Sequence, residues 1–389
     1  MNGSNRTVLG LATAGNFAQL GARFLLGAVV PLVLVEFDAT RSTVGLALGG
    51  MWAVYALAQF PSGVLGDRHG ERRLLLAGMG GTAVGALLLT VAPSLLAFGL
   101  FAILLGAGAG LFFAPATSLL SRLYAEHGGA LSVMTAGGAV AGIVYPSVGG
   151  LVGVRFGWRA AVGLGAVVAL PLVVAMAVSI PRIDPVSPDL PIDEAADPHR
   201  LWALLTRPGV VYSVVVAVVG GYAFQAFSSF FPTFLVQYRG LEPGTAGIAL
   251  GAAFALSAVV QPAAGRLSDV AGRDLALAGS FGFAGAGIAV LLTVPGAVGL
   301  LGGTAVLGAG VSWGGVVQAR FMDQLDDDER GVGFGLVRTV YMLLATSGSF
   351  ATGVLADLGG WPLAYGAVVA LLVACLGLLG ANRALGWGL

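Results

Sequence analysis

The chain has no lysine: all 19 of its basic residues are arginine. A Walker A loop needs its Lys against the nucleotide phosphates, so that route to ATP hydrolysis is closed. A retinal or pyridoxal Schiff base needs the same amine and is excluded with it. Only three histidines occur, His69, His127 and His199, and all fall in polar connecting segments. No His pair remains in an apolar segment to hold haem or metal, so neither a cofactor nor a metal is expected. The single cysteine, Cys375, rules out an intrachain disulfide. Net charge is zero, so nothing draws the chain to nucleic acid. A cleavable signal peptide is not expected, because the first apolar segment is too long and only Arg6 precedes it.

Charge of either sign is scarce too, at 10% of residues against 57% apolar. A soluble domain carries roughly 25% charged residues. Apolar runs of about 20 residues follow one another, each long enough to cross a bilayer as a helix. The 63 glycines suit close helix packing in lipid. Twelve spans are predicted, over 8–35, 44–65, 74–92, 95–121, 129–153, 158–181, 208–236, 246–267, 275–294, 297–320, 332–355 and 360–383. The one long polar stretch, 182–207, holds Asp184, Asp189, Asp193, Glu194 and Asp197 and reads as an exposed linker. Asp197 is expected to cap a short surface helix that begins at Pro198.

Arginine placement orients the chain. With both termini cytoplasmic, Arg41, Arg155, Arg159 and Arg239 face outward, Arg23 and Arg338 lie inside spans, and the other thirteen face the cytoplasm. Lysine absent beside abundant Ala, Gly and Val fits a GC-rich genome, and so a prokaryotic cell membrane.

The chain repeats itself. Gly63-Val64-Leu65-Gly66-Asp67-Arg68-His69-Gly70-Glu71-Arg72-Arg73 returns as Gly265-Arg266-Leu267-Ser268-Asp269-Val270-Ala271-Gly272-Arg273, 202 positions later. At the same offset Thr43-Val44-Gly45-Leu46-Ala47-Leu48-Gly49 matches Thr245-Ala246-Gly247-Ile248-Ala249-Leu250-Gly251, and Gln59 matches Gln261. Register held through loops and spans alike signals duplication of a six-helix unit rather than chance likeness of Gly-rich helices.

A charged, Gly-punctuated loop between the second and third spans resembles that of the major facilitator superfamily. The resemblance implies an all-α membrane protein of 12 transmembrane helices in two pseudo-symmetric six-helix bundles. These are 1–181 and 208–389, joined by the cytoplasmic linker 182–207, with a solute site between them. It implies a secondary transporter that works as a monomer on a small-molecule solute in a lipid bilayer, without catalysis. It further implies that Gly63 and Gly70 permit a tight cytoplasmic turn, with Gly265 and Gly272 as their counterparts. Asp67 is expected to start the following helix, with Arg68, Arg72 and Arg73 facing the cytoplasm. By the same resemblance, Asp67 pairs with Arg338 as a latch that locks the cytoplasmic side in the outward-open state. The alternative for Arg338 is snorkelling to the interface. The second half lacks an Arg near Ala136, so Asp269 is expected to have no matching partner. Two family motifs are incomplete. Ala102 stands where a proton-coupling Arg is expected, and Gly142-Ile143-Val144-Tyr145-Pro146-Ser147-Val148-Gly149-Gly150 resembles an antiporter motif with Tyr145 replacing a Gly.

Charges deep in a bilayer are costly and default to function. Arg23 is the clear case. Asn16, Gln19 and Arg23 fall on one helix face by their spacing of three and four. Tyr222, Gln225 and Ser229 repeat that spacing on the seventh span, among Phe224, Phe227, Phe230, Phe231 and Ser228. The functional reading is a bidentate anion clamp at Arg23. The alternative is an Arg bound to helix carbonyls. Trp52, Tyr55, Gln59, Trp313 and Gln318 could line the same cavity, but are first read as packing residues. No Asp or Glu falls within a span; Glu36, Asp38 and Asp357 sit at span ends. That favours uniport or exchange over coupling through a buried carboxylate. An anion leaving an inside-negative cell gains about 2.3 kcal/mol per 100 mV. The preferred reading is therefore transport of an anionic metabolite. Multidrug efflux is the alternative within transport, and a non-transporting solute sensor the alternative outside it. A membrane enzyme is disfavoured by the lack of acid–base side chains in the spans.

Overall fold

The computed structural model describes residues 3–124, 127–182, 184–185, 198–326 and 332–388. Asp189, Asp193, Glu194 and Asp197, with the expected cap before Pro198, lie outside these residues, as does Arg330. The described chain is helical, as lipid requires of backbone groups that can find no water. The first six spans are α1 (Gly3–Glu36), α2 (Arg41–His69), α3 (Glu71–Leu89), α4 (Leu95–Gly110) with α5 (Phe113–Leu123), α6 (His127–Phe156) and α7 (Trp158–Ser179). A short α8 (Pro198–Leu205) follows. The other spans are α9 (Pro208–Arg239), α10 (Pro243–Ala271), α11 (Arg273–Thr293), α12 (Gly296–Gly310) with α13 (Gly314–Asp323), and α14 (Val332–Ala345) continued by α15 (Ser347–Leu385). Among the described residues, eleven stretches are long and apolar enough to cross a membrane. The last covers 53 residues, enough for two crossings. It is divided by Gly359 and Gly360, whose φ of −141° and 72° break the helix.

Three predicted spans are interrupted. The fourth breaks at Leu111 and Phe112. Pro115 has no N–H for the Leu111 carbonyl, and its ring crowds that carbonyl. The tenth tightens to a 3₁₀ turn over Val311–Trp313. The eleventh breaks at Thr346, between α14 and α15.

The signature loops match expectation only in part. Gly70 and Gly272 do make the turns, with φ of 91° and 95°, a region that favours glycine. Gly63 and Gly265, however, sit inside α2 and α10, which stay helical up to those turns. Asp67 is therefore in the last turn of α2. The acid that starts α3 is Glu71, which accepts from Arg122 Nη1 at 2.8 Å and Ser118 Oγ at 3.1 Å. Arg72 is tied instead to carbonyls at the end of α7, donating to Ile180 O at 2.9 Å and Ala177 O at 2.5 Å. In the second half Asp274 starts α11 and pairs with Arg320. Asp269 pairs within its own loop, with Arg273 at 2.6 Å one turn on, and Arg273 bridges to Asp323 at 2.8 Å; neither is the counterpart across the halves whose lack was expected.

The six spans before α8 meet the six after it at crossings lined by small residues. Gly247 packs against Gly150, where an added Cβ would lie 3.1 Å from the Gly150 Cα. Gly27 faces the Ser228 carbonyl so closely that no side chain fits. Gly45 abuts the Ser349 carbonyl, at 2.6 Å for an added Cβ. Such contacts let backbones approach and gain dispersion energy where lipid gives no hydrophobic drive. Leu96, Val178, Val298 and Leu358 stay exposed on the outside of the bundle, as lipid-facing residues do.

Candidate functional site

The predicted polar face of α1 is a linked chain. Asn16 Nδ2 donates to the Met134 carbonyl at 2.9 Å. Gln19 Nε2 donates to Asn16 Oδ1 at 2.7 Å. Arg23 Nη2 donates to Gln19 Oε1 at 2.6 Å, and Arg23 Nε to the Gln19 carbonyl at 3.2 Å. The guanidinium lies 3.7 Å from the Tyr55 ring centroid and 4.5 Å from that of Trp52. Cation–π contacts are worth about 2 kcal/mol or more when desolvated. Arg23 is 1% exposed, and its Nη1 has no partner.

Those two rings line a cavity of about 380 Å³ between the two halves, while Arg23 stands behind them. The cavity is walled by Asn16, Gln19, Gln225, Gln261 and Gln318, by Thr135 and Ser257, and by Trp313 and Tyr341. Its roof is four rings drawn from both halves. Phe24 and Phe254 have centroids 4.7 Å apart, Phe24 and Phe224 6.1 Å, and Trp52 and Phe224 6.5 Å. One charged residue lines it among the described residues: Arg338, midway along α14. The Arg338 guanidinium lies 4.7 Å from the Phe113 ring centroid, and its buried Nε has no partner. Among the described residues, the walls contain no carboxylate.

The cavity walls come from the signature-loop ends of the helices, and the opposite end of the bundle is shut. There Asp357, on α15, accepts from the Ser42 N–H at 2.8 Å and the Arg41 N–H at 3.1 Å, and pairs with Arg41 Nη1 at 3.2 Å. Arg41 Nε donates to Gln237 on α9 at 2.8 Å, and Trp361 Nε1 donates to the same oxygen at 3.2 Å. Below this knot Ser229 and Ser349 hydroxyls meet at 2.7 Å.

The predicted site residues thus divide. Asn16, Gln19 and Gln225 line the cavity, together with Trp52, Tyr55, Trp313 and Gln318, which do more than pack. Arg23 and Ser229 line a small space beyond the aromatic roof. Tyr222 lines neither; its backbone meets Gly348. Gln59 is structural and donates to the Gly110 carbonyl at 3.2 Å. Gly150 of the partial antiporter motif packs on α10, and Tyr145 of that motif packs on Phe17 with centroids 5.1 Å apart. The expected Asp67–Arg338 pair is not formed, since Arg338 faces the cavity and Phe113. Phe113, Thr135 and Tyr341 were not legible as site residues. The i, i+3 spacing of Arg338 and Tyr341 was their one available signal.

The family model of the Major Facilitator Superfamily matches residues 12–322 and 240–385. The nitrite extrusion protein of Bacillus subtilis (strain 168) is 24% identical over 251 residues, covering 63% of this chain and 60% of that one. The multidrug efflux pump LfrA of Mycolicibacterium smegmatis is 30% identical over 215 residues, covering 53% and 41%. The matches span less than two thirds of these curated relatives. A bacterial homologue of the human lysosomal transporter Spinster, crystallised in an inward-facing and occupied conformation, is 16% identical. It superposes with a TM-score of 0.83 over 98% of this chain and 97% of that one. With a family model matching most of its length and this fold, the chain is a multi-pass membrane protein that belongs to the Major Facilitator Superfamily.

Proposed function

We propose that the chain is a secondary transporter that moves a small organic or inorganic anion by alternating access. Residues 1–181 and 208–389 rock as units, and 182–207 links them on the cytoplasmic side. The observation that carries this reading is the charge of the cavity. A guanidinium with an unpartnered nitrogen faces a cavity of about 380 Å³ whose described walls contain no carboxylate. Arg338 is only half-buried, yet its buried Nε lacks a partner, and a bound anion would supply one. Side-chain amides beside it supply directed hydrogen bonds, and the rings supply apolar contact. That one relative carries an oxyanion in its name supports the same class.

With both termini cytoplasmic in a prokaryotic cell membrane, the conformation described is inward-facing. The outer end is knotted by Asp357 and the cavity lies toward the signature loops. In the outward-facing state Arg338 leaves the cavity and pairs with Asp67, with Gly70 and Gly272 setting the turns that hold the two loops. Among the described residues no carboxylate lines the cavity, which favours uniport or exchange over coupling through a cavity carboxylate, with the chain working as a monomer. The four-ring roof supports multidrug efflux as the second reading, and one relative carries that name.

A thermal-shift screen of detergent-purified protein separates the two. Wild type is compared with Arg338→Gln and Arg23→Gln against carboxylates, phosphates, nitrite, sugars and lipophilic cations. Stabilisation by one anion group, lost in Arg338→Gln, is the expected result. Stabilisation by lipophilic cations that survives both substitutions transfers the function to drug efflux.

A further inference from the structure

The cavity combines a single cation with a wall of rings. Among the described residues Arg338 is its one charge, and no carboxylate there offsets it. A solute with one negative charge balances such a site, and a second negative charge would find no cation. The other polar walls are neutral amides and hydroxyls. Two of these amides are already engaged. Asn16 accepts from Gln19 and donates to the Met134 carbonyl, and the Gln19 carbonyl oxygen accepts from Arg23.

The rings come from both halves. Phe24 and Trp52 on one side and Phe224 and Phe254 on the other make the roof, and Trp313 continues the wall. A wholly apolar recess adjoins it, sharing Phe224, Val311 and Trp313 with the cavity. Gly220, Phe227 and Leu372 are among its other walls, and no hydroxyl, amide or charged side chain borders it. At about 20 Å³ the recess is of the order of one methyl group.

Neither a bare inorganic anion nor a lipophilic cation suits both features. Nitrite or phosphate would give up its hydration shell to ring surfaces that return nothing for it, since the faces of aromatic rings are themselves negative. It would also fill little of about 380 Å³. A lipophilic cation suits the rings but meets Arg338 with no carboxylate to offset the repulsion. A solute that is itself divided, charged at one end and apolar at the other, satisfies the guanidinium and the rings together. Ligand sites run from about 300 to 1,000 Å³, so the solute of this one is compact.

We infer that the solute is an aromatic monocarboxylate, bound with its carboxylate at Arg338 and its ring beneath Phe24, Trp52, Phe224 and Phe254, which rests on the anion-transport reading and narrows it to one class. Arg338 sets the sign of the charge, and the rings set the body that accompanies it. Phe224 belongs to the roof, the cavity and the recess at once, and is therefore the specificity-determining residue.

The test is calorimetric titration of the detergent-purified full chain with sodium acetate, sodium benzoate, sodium nitrite, sodium phosphate and benzylammonium chloride at matched ionic strength. Burial of one phenyl ring corresponds to roughly ten- to a hundredfold in affinity. Benzoate should therefore bind that much more tightly than acetate, and more tightly than nitrite or phosphate. Benzylammonium, the same ring with the opposite charge, should not bind. Arg338→Gln should abolish benzoate binding. Phe224→Leu keeps an apolar wall without the ring, and should weaken benzoate by about two- to tenfold while leaving acetate and nitrite unchanged. Trp313→Leu is the second variant should Phe224→Leu fail to fold, and the wild-type series decides the ring preference without either. Benzoate bound no more tightly than acetate, or less tightly than nitrite or phosphate, overturns the inference and leaves the anion reading standing. Benzylammonium bound as tightly as benzoate overturns both. Benzoate binding that survives Arg338→Gln, a ring preference untouched by both ring variants, or no benzoate binding by calorimetry and thermal shift alike, overturns the inference as well.

Discussion

The carboxylate of Asp357 caps the N-terminus of a helix in the other half of the molecule, accepting the Ser42 N–H at 2.8 Å. The first N–H groups of a helix have no partner within it, and a carboxylate there is favoured by the helix dipole as well. Because Asp357 lies on α15 and Ser42 on α2, the cap is also a clamp across the outer end. Arg41, bonded to Asp357 and Gln237, ties the same helix to α9.

Removing that clamp should open the outer end. A cap of this kind is worth about 1 kcal/mol. Asp357→Ala should therefore raise labelling of an outer-end reporter, Ser349→Cys in a Cys375→Ser background, by roughly fivefold. Asp357→Asn, which keeps an acceptor, should change it less. Labelling unchanged in both variants would show that the clamp does not hold this end shut.

The inner end should respond in the opposite direction. Asp67→Asn and Arg338→Gln each remove one partner of the proposed latch, and both should raise labelling of a cavity reporter such as Ala345→Cys. If neither alters accessibility, the pair is no latch, and Arg338 serves the cavity alone.

Much of this was legible in the sequence because it depends on local chemistry. Gly70 and Gly272 stand at turns with positive φ, and a repeat carried both to the same place in two halves. The polar face of α1 followed from spacing alone. What was not legible depends on tertiary contact. Gly63 has the same chemistry as Gly70 but lies inside α2, because nothing local marks where that helix stops. The break at Thr346 falls in a continuous helical pattern with no proline or glycine pair. Arg338 was read as a latch residue, and its cavity-facing orientation arises from how α14 leans against Phe113. Arg23 was expected at the cavity, yet the Trp52 and Tyr55 rings stand in front of it.

The buried pair of Arg320 and Asp274 offers a stability test away from the cavity. Asp274 also accepts from Asn382 Nδ2 at 2.6 Å, and Arg320 Nε donates to Ser213 Oγ at 3.0 Å. Removing one partner of a buried pair costs about 3–5 kcal/mol, because the other charge is left behind. Asp274→Asn should lower Tm by many degrees, and Asp274→Leu with Arg320→Met should recover part of the loss. A double variant less stable than the single one contradicts this account.

Gly27 tests the crossing of α1 and α9. An alanine methyl there would run into the Ser228 carbonyl, and backbone cannot yield as a side chain can. Overpacking of this kind costs about 1–3 kcal/mol. Gly27→Ala should therefore penalise the inward-facing state, lowering labelling at Ala345→Cys and raising it at Ser349→Cys. Equal labelling with an unchanged Tm would mean that the two helices are free to separate at this point.

The most direct measurement is flux. Purified protein in liposomes, with a potential imposed by potassium and valinomycin, is loaded in turn with radiolabelled carboxylates, phosphate and nitrite. The account predicts that at least one anion crosses, that an imposed potential biases its direction, and that Arg338→Gln abolishes the movement while the variant remains folded. Flux of lipophilic cations in place of anions, or anion flux that survives Arg338→Gln, contradicts it.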